Sequence, residues 1–495
     1  MKGCFLKRAL KLCTFFVLIG VLLIVFNSIL EKKNDGNWYG GGIERAYENP
    51  NYYDVIFAGT SMVLANINVE ELYLKYGIAG LTTGEPEQPI YLSYYTLEEV
   101  LKYQNPKAIL LDVKALFYSD ELLKQRIDLD ENLYIHYTLD QMKNNKTKYD
   151  ALKAVQELKD DLDVWTYLSK IYNNHANWEN LHKINFKKDI DVINRIDGNT
   201  LLFDIKENLE RTENVWNVKN TGECERISAF NMKYFLKIID LCKKKNIDLV
   251  LLHGFTDLDW DWKKYNAVEK VASQYGLDYL DINLCEEEIG FDWHTDSADS
   301  GHTNVLGGKK WTDYIGKYLV NRFEINPHWD DLRYNHFMQQ EKKYQAAVDA
   351  MQMKANFLSA ITFNDYCNML GTLDWENNSV YVITSKNILE NLSVDIRNKI
   401  KYMGTLVFLP VDGKYNEDKY GLQFIDKETI KIDKKEISLY VDGINVVIFN
   451  RPNDVIISNV FFDIVQSDNP TTNRIIDGKY MEKQIGINKW QMYIK

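Results

Sequence analysis

The sequence predicts an α/β protein: a doubly wound parallel sheet with a helical insertion, an N-terminal transmembrane helix and a C-terminal β-rich α+β domain. Three observations carry that expectation. Between residues 51 and 326, short apolar runs closed by Gly or Asp alternate with stretches of helical spacing, as in βαβ units with buried parallel strands. An uncharged run, Leu12–Leu30, precedes them. After Pro327 the character changes, and the last part of the chain is β-rich with Gly and Asn-Asp turns.

The elements follow in chain order. Residues 1–11 carry Lys2, Lys7, Arg8 and Lys11 and read as a cytoplasmic basic segment. Leu12–Leu30 would span roughly 28 Å as a helix, close to the hydrocarbon thickness of a bilayer. Positive charge is denser before this run than after it, which orients the N-terminus to the cytoplasm and the bulk of the chain outside. A cleaved signal peptide would have a shorter apolar stretch and a small-residue cleavage site, so 12–30 reads as a retained signal anchor. Residues 31–50, with Gly40, Gly41 and Gly42, read as a tether.

Strands are expected at Asp54–Gly59, Tyr76–Leu81, Ala108–Val113, Ile247–Leu252 and Leu277–Asp281. Helices are expected at Ile67–Tyr76, Tyr91–Tyr103, Ile227–Lys245, Asp261–Tyr275 and Val305–Val320. Residues 120–226 break the rhythm and read as a helical insertion. Residues 327–364 form a helical connector, and 365–495 a second domain, with two strands around an Asp442-Gly443 hairpin signal and another at Val455–Ile464.

Composition narrows the function classes. The 495 residues suffice for two to four domains, and 45% hydrophobic with 26% charged residues describes a folded chain. The net charge of −12, from 59 basic and 71 acidic residues, excludes non-specific nucleic-acid binding. Aromatic residues at 13% suit either a carbohydrate-facing protein or an ordinary large core. Six cysteines show neither CxxC pairs nor zinc-ligand spacing, and leave room for one or two bridges.

In a doubly wound sheet, sites form beyond the carboxyl ends of the strands. Gly59-Thr60-Ser61 closes the first strand there, and Ser61 is equally suited to begin a helix. Asp299-Ser-Gly-His302 precedes the last helix. The spacing sets a carboxylate beside an imidazole, the pairing a nucleophilic serine needs. Gly84, after the second strand, offers a backbone N–H for an oxyanion. His253 ends the fourth strand and, with Thr60 and Gln88, is a candidate to line the crevice. Asp292, His294 and Asp296 cluster near Asp299 and His302 without fixed metal-ligand spacing, so no metal or other cofactor is expected.

Together, Gly59-Thr60-Ser61, the Thr82-Thr83-Gly84 segment with Gln88 and the helix from Tyr91, and Asp299/His302 resemble the SGNH/GDSL hydrolase superfamily. GTSMVLANINVEEL and QNPKAILLDV resemble its membrane-anchored branch, which includes the D-alanyl-lipoteichoic acid transfer and alginate-acetylation proteins. The resemblance covers roughly 50–325 and implies a flavodoxin-like sheet. It implies an acyl-Ser61 intermediate, with His302 as base, Asp299 as its orienter, and the Ser61 and Gly84 amides as oxyanion donors. One departure stands out: the asparagine donor of the family's third block has no counterpart after Val113, where Lys114 stands.

Residues from about 355 to 465, with Tyr381–Thr384, Gly404, Asp442–Asn450 and Phe461-Phe462-Asp463, resemble the interleukin-like EMT inducer (ILEI/PANDER) domain, which hints at glycan binding. The resemblances imply an extracytoplasmic, membrane-anchored serine O-acyltransferase or esterase acting on a cell-envelope polysaccharide or teichoic-acid-like polymer. Its partners would be that polymer, an acyl donor, a membrane acyl-export protein and the bilayer. The alternative is a non-catalytic glycan-binding or scaffold protein of polymer assembly. A third reading, D-alanyl transfer, would draw on Glu85 and Glu87 to receive a cationic acyl group.

Overall fold

Strands buried on both faces are unbroken apolar runs, and the expected ones form. They are β1 Val55–Ala58, β2 Gly80–Thr82 and β3 Ala108–Asp112. After a short hairpin of β4 Arg195–Ile196 and β5 Asn199–Thr200 come β6 Asp248–His253 and β7 Asp278–Asp281. The computed structural model describes residues 2–30, 40–128, 133–169, 172, 174, 178–179, 181, 195–196, 198–206, 218–255, 260–410, 418–419, 421–463, 467, 469–476, 479–484 and 490–492. It divides into two units. The first is Met1–Thr200, Asn214–Glu286 and Trp311–Tyr334. The second is Leu201–Glu213, Glu287–Lys310 and Asn335–Lys495.

The first unit is α/β. Its five-stranded sheet is parallel throughout, in the order β2-β1-β3-β6-β7. From β1 the chain steps outward to β2, then back across β1 to β3. Right-handed crossovers therefore place the intervening helices on opposite faces, and the reversal opens a crevice between the ends of β1 and β3. Helices Ser61–Asn66 and Val69–Tyr76 follow β1. Gly77, at φ 67°, ends the second of these with its N–H on Tyr73 O, so β2 starts later than the Tyr76–Leu81 expectation. Helix Ile90–Val100 packs against Ala229–Lys245.

The glycine run expected as a tether is packed instead. Gly40 to Ile43 are buried, the Gly40 N–H meets Glu85, and a Cβ on Gly42 would lie 1.9 Å from Thr82 O. Residues 31–39 of the expected tether lie outside the described residues. The insertion is helical where described up to Leu168, with Asp120–Asp128, Leu133–Leu139, Lys146–Leu158 and Trp165–Leu168. Much of 170–217 lies outside the described residues.

The expected bilayer span falls within helix Lys2–Leu30, which also takes in the basic residues before it. Among the described residues no helix is long and apolar enough to cross a membrane, so the transmembrane helix is unsupported. Cys13, Cys224, Cys242 and Cys367 are free thiols, while the Cys285 sulfur accepts from the Tyr314 hydroxyl at 3.3 Å.

The second unit holds the β-rich region. β8 Asn378–Thr384 and β9 Thr405–Phe408 are parallel neighbours. β10 Asp418–Lys419, β11 Leu422–Phe424, β12 Thr429–Ile432 and β13 Lys435–Ser438 form an antiparallel meander. β14 Ile444–Asn450, β15 Val455–Phe462, β16 Asn473–Ile476, β17 Lys479–Lys483 and β18 Trp490–Met492 complete a seven-stranded sheet with β8 and β9.

The expected hairpin at Asp442-Gly443 does not form. β13 and β14 lie in different sheets, and β14 pairs with β8 and β15. The two-residue hairpin turn is Asp433-Lys434, with Asp433 at φ 52°. Gly443 serves a close approach instead: a Cβ there would lie 2.6 Å from Phe462 O. Tyr381, Ile383, Leu422, Ile430, Ile437 and Val447 contribute to one core from both sheets.

Helix Asn335–Leu358 and the 287–310 segment count with the β-rich unit, and 327–334 with the α/β unit. Within the second unit, Leu202 O accepts from Val305 N at 3.0 Å, Ser297 O from Lys206 N at 2.9 Å, and Phe203 O from Lys354 Nζ at 2.8 Å. Within the first, His328 Nε2 meets Asp54 at 3.0–3.1 Å and the rings of Tyr334 and Tyr52 stack.

Candidate active site

Every strand of the parallel sheet ends at its carboxyl edge in a polar residue or a polar turn. β1 ends at Gly59-Thr60-Ser61. Gly59 takes φ 135°, a backbone state open to glycine alone, and a Cβ there would lie 2.6 Å from Asp112 Cβ. Thr60 caps helix Ser61–Asn66: its hydroxyl accepts from Met62 N at 3.2 Å and donates to Asp112 Oδ2 at 2.5 Å. The Thr60 N–H also donates to Asp112 Oδ2, at 3.2 Å. Ser61 is the first residue of that helix and only 4% exposed.

The segment after β2 packs on this turn. Glu85 N donates to Gly59 O at 3.2 Å, and a Cβ on Gly84 would lie 2.7 Å from Thr60 O. Gly84 and the Ser61 turn are thus neighbours. Gln88 is buried, with its amide donating to Thr96 at 3.0 Å, so it braces the following helix. Glu85 accepts from Gly40 N and Gln141 Nε2. Glu87 pairs with Arg126, whose guanidinium also covers the Tyr118 ring, and lies 4.0 Å from Lys114 Nζ. Both carboxylates thus have cationic or N–H partners inside the unit.

The ends of β3, β6 and β7 form a second buried cluster. Asp112 Oδ1 accepts from Lys114 N at 3.1 Å and lies 3.5 Å from His253 Nδ1, within ion-pair reach but long for a hydrogen bond. Burial alone would push the Asp112 carboxyl up. His253, the Thr60 hydroxyl and the Lys114 amide outweigh it and hold the group below its ordinary value. The fully buried His253 ring stacks on Trp260, with centroids 3.6 Å apart, and Trp260 Nε1 donates to Asp281 at 2.7 Å. Asp281 also accepts from the Tyr279 hydroxyl and from Asn283, which donates in turn to Gly254 O.

In the second unit, the loop before helix Val305–Arg322 folds on itself. Ser297 and Thr303 bridge, and His302 O accepts from both Ala298 N and Asp299 N. Asp299 Oδ1 accepts from Gly301 N at 2.7 Å. His302 Nδ1 then sits 2.9 Å from both Asp299 carboxylate oxygens. With Nδ1–H on the carboxylate, the basic nitrogen is Nε2. Burial would raise the Asp299 carboxyl, but His302 and the Gly301 and His302 amides hold it lower than usual. Asn304 steadies the loop by accepting from Leu306 N and donating to Thr295 O and Asp204 O.

Sequence spacing thus located the Asp299–His302 pair, and the structure joins them. Ser61 and Gly84 belong to the other unit. Asp296 accepts from Asp292 N and Lys310 Nζ, and no group of three or more His, Cys, Asp or Glu among the described residues is arranged to hold a metal ion. Sequence reasoning missed Asp112, Trp260, Asp281 and Asn283. The signal was there for two of them: AILLD and DYLD are strands that each end in an aspartate, at the edge where polar groups gather. No protein-family model matches the chain, and no curated protein matches it.

Proposed function

We propose that the chain is a membrane-held, extracytoplasmic serine O-acyltransferase or esterase of the SGNH kind, acting on a cell-envelope polymer through an acyl-Ser61 intermediate. The Asp299–His302 pair carries this reading: a carboxylate held ionised, bonded through both oxygens to one imidazole nitrogen. The Ser61 hydroxyl attacks the acyl carbonyl, and its proton goes to a histidine base, the role that the sequence resemblance gives to His302. The Ser61 and Gly84 amides receive the oxyanion, and the proton passes to the leaving group. Water or a sugar hydroxyl then releases the acyl group.

A neutral acyl group suits the site better than D-alanyl, because Glu85 and Glu87 already have partners within the first unit. The uncharged run Leu12–Leu30 and the exposure of Phe15, Phe16, Val17, Leu18 and Phe26, each more than half exposed, support a membrane attachment. A membrane acyl-export protein is the expected source of the donor, and the β-rich unit, ILEI/PANDER-like in sequence, the expected polymer-holding part.

The test is covalent trapping. The full chain, treated with a fluorophosphonate and digested, should carry the adduct on Ser61, and His302→Ala should abolish it. A folded protein without an adduct would instead favour the glycan-binding scaffold.

A further inference from the structure

The nucleophile turn needs an anchor. Gly59 takes φ 135°, which glycine reaches at little cost, so its own backbone does not fix the turn and hydrogen-bond partners must. The hold comes from one carboxylate across the crevice. Asp112 Oδ2 takes both the N–H and the hydroxyl of Thr60, at 3.2 and 2.5 Å. Asp112 Oδ1 is fixed by Lys114 N and faces His253. His253 is in turn clamped against Trp260, which Asp281 holds. This chain joins the ends of β1, β3, β6 and β7, and Asp112 is 1% exposed, so water cannot substitute for it.

We propose that Asp112 is the positioning residue of the Ser61 turn, its carboxylate fixing Thr60 by two hydrogen bonds so that the Ser61 hydroxyl is set for attack, with His253 steadying the carboxylate from β6. This rests on Ser61 being the nucleophile. Asp112 touches neither donor nor acceptor in this role; it acts through Thr60. Displacing a reacting atom by about 1 Å costs on the order of 100-fold in rate, which sets the expected effect.

The experiment measures fluorophosphonate inactivation of the detergent-solubilised full chain, separating kinact from KI, with the adduct mapped each time and folding followed by circular dichroism. Asp112→Ala should lower kinact about 100-fold and leave KI within about threefold. Asp112→Asn keeps a carbonyl acceptor for Thr60 and should recover about tenfold of that loss. Thr60→Val removes one of the two bonds, leaves Asp112 in place, and should lower kinact about tenfold, which keeps the test open if Asp112→Ala does not fold.

Asp112→Ala labelled as fast as wild type overturns the proposal, and so does an unchanged kinact in Thr60→Val. Equal losses in folded Asp112→Ala and Asp112→Asn would assign the effect to charge alone and overturn it too. A wild-type protein with no adduct on Ser61 overturns the acyl-enzyme reading, and the positioning role with it.

Discussion

Asp299 is charged for a local reason. Its carboxylate accepts from the Gly301 amide and from His302 Nδ1 inside a seven-residue loop, and these bonds outweigh its partial burial. Losing the charge while keeping the shape should therefore be costly. Asp299→Asn should slow acyl transfer by about 10³- to 10⁴-fold, measured as burst rate with an activated acetyl ester, because an amide favours the wrong imidazole tautomer. The same group has a signature in stability. Its folded value lies below the unfolded one of about 3.9, so its contribution is full above that pH and disappears as pH falls through the depressed value. Chemical denaturation of wild type and Asp299→Asn should show a stability gap at pH 7 that closes toward pH 3. A gap that widened on acidification would contradict the pairing.

Each strand of the parallel sheet is only three to six residues long, yet the apolar runs of β1, β3 and β6 are unmistakable because both faces of these inner strands are covered, whereas the edge strand β7 is half-buried. Turns are harder to place. Gly40–Gly42 has a linker's composition, but the backbone of Gly42 presses on Thr82 of β2. Composition reports freedom, and here the freedom is used for close approach. Gly42→Ala would have to displace β2 and should cost about 1–3 kcal/mol, read from urea denaturation; a neutral substitution would mean that this segment is not packed in solution. Asp442-Gly443 went astray for a related reason. The dipeptide permits a hairpin, but β14 finds better partners in β8 and β15, and glycine is required by Phe462 rather than by a turn type.

Among the described residues, the contrast is between the N-terminal helix, where most apolar side chains from Leu10 to Phe26 are exposed, and the rest of the two units, whose apolar side chains are largely buried. The exposed Phe15, Phe16, Leu18 and Phe26 are the side chains that the proposed membrane attachment would cover. The proposed attachment therefore makes a simple demand. The full chain should stay with membranes through an alkaline carbonate wash and leave them in detergent, and deletion of residues 1–30 should release it. A full chain recovered in the carbonate supernatant would remove the membrane from the proposal.

Local pattern was enough for the α/β class, the strand sequence, the β-rich region and the Asp299–His302 pair, because each depends on periodicity or on residues three apart. Tertiary structure decided what depends on distant residues. It set Asp112 against Thr60 across 52 positions, drew Trp260 onto His253 and Asp281, and tied 201–206 to 297–305 so that the Asp-x-x-His loop counts with the second unit. Buried polar groups seek whichever partner the fold brings near, and no local spacing encodes that choice.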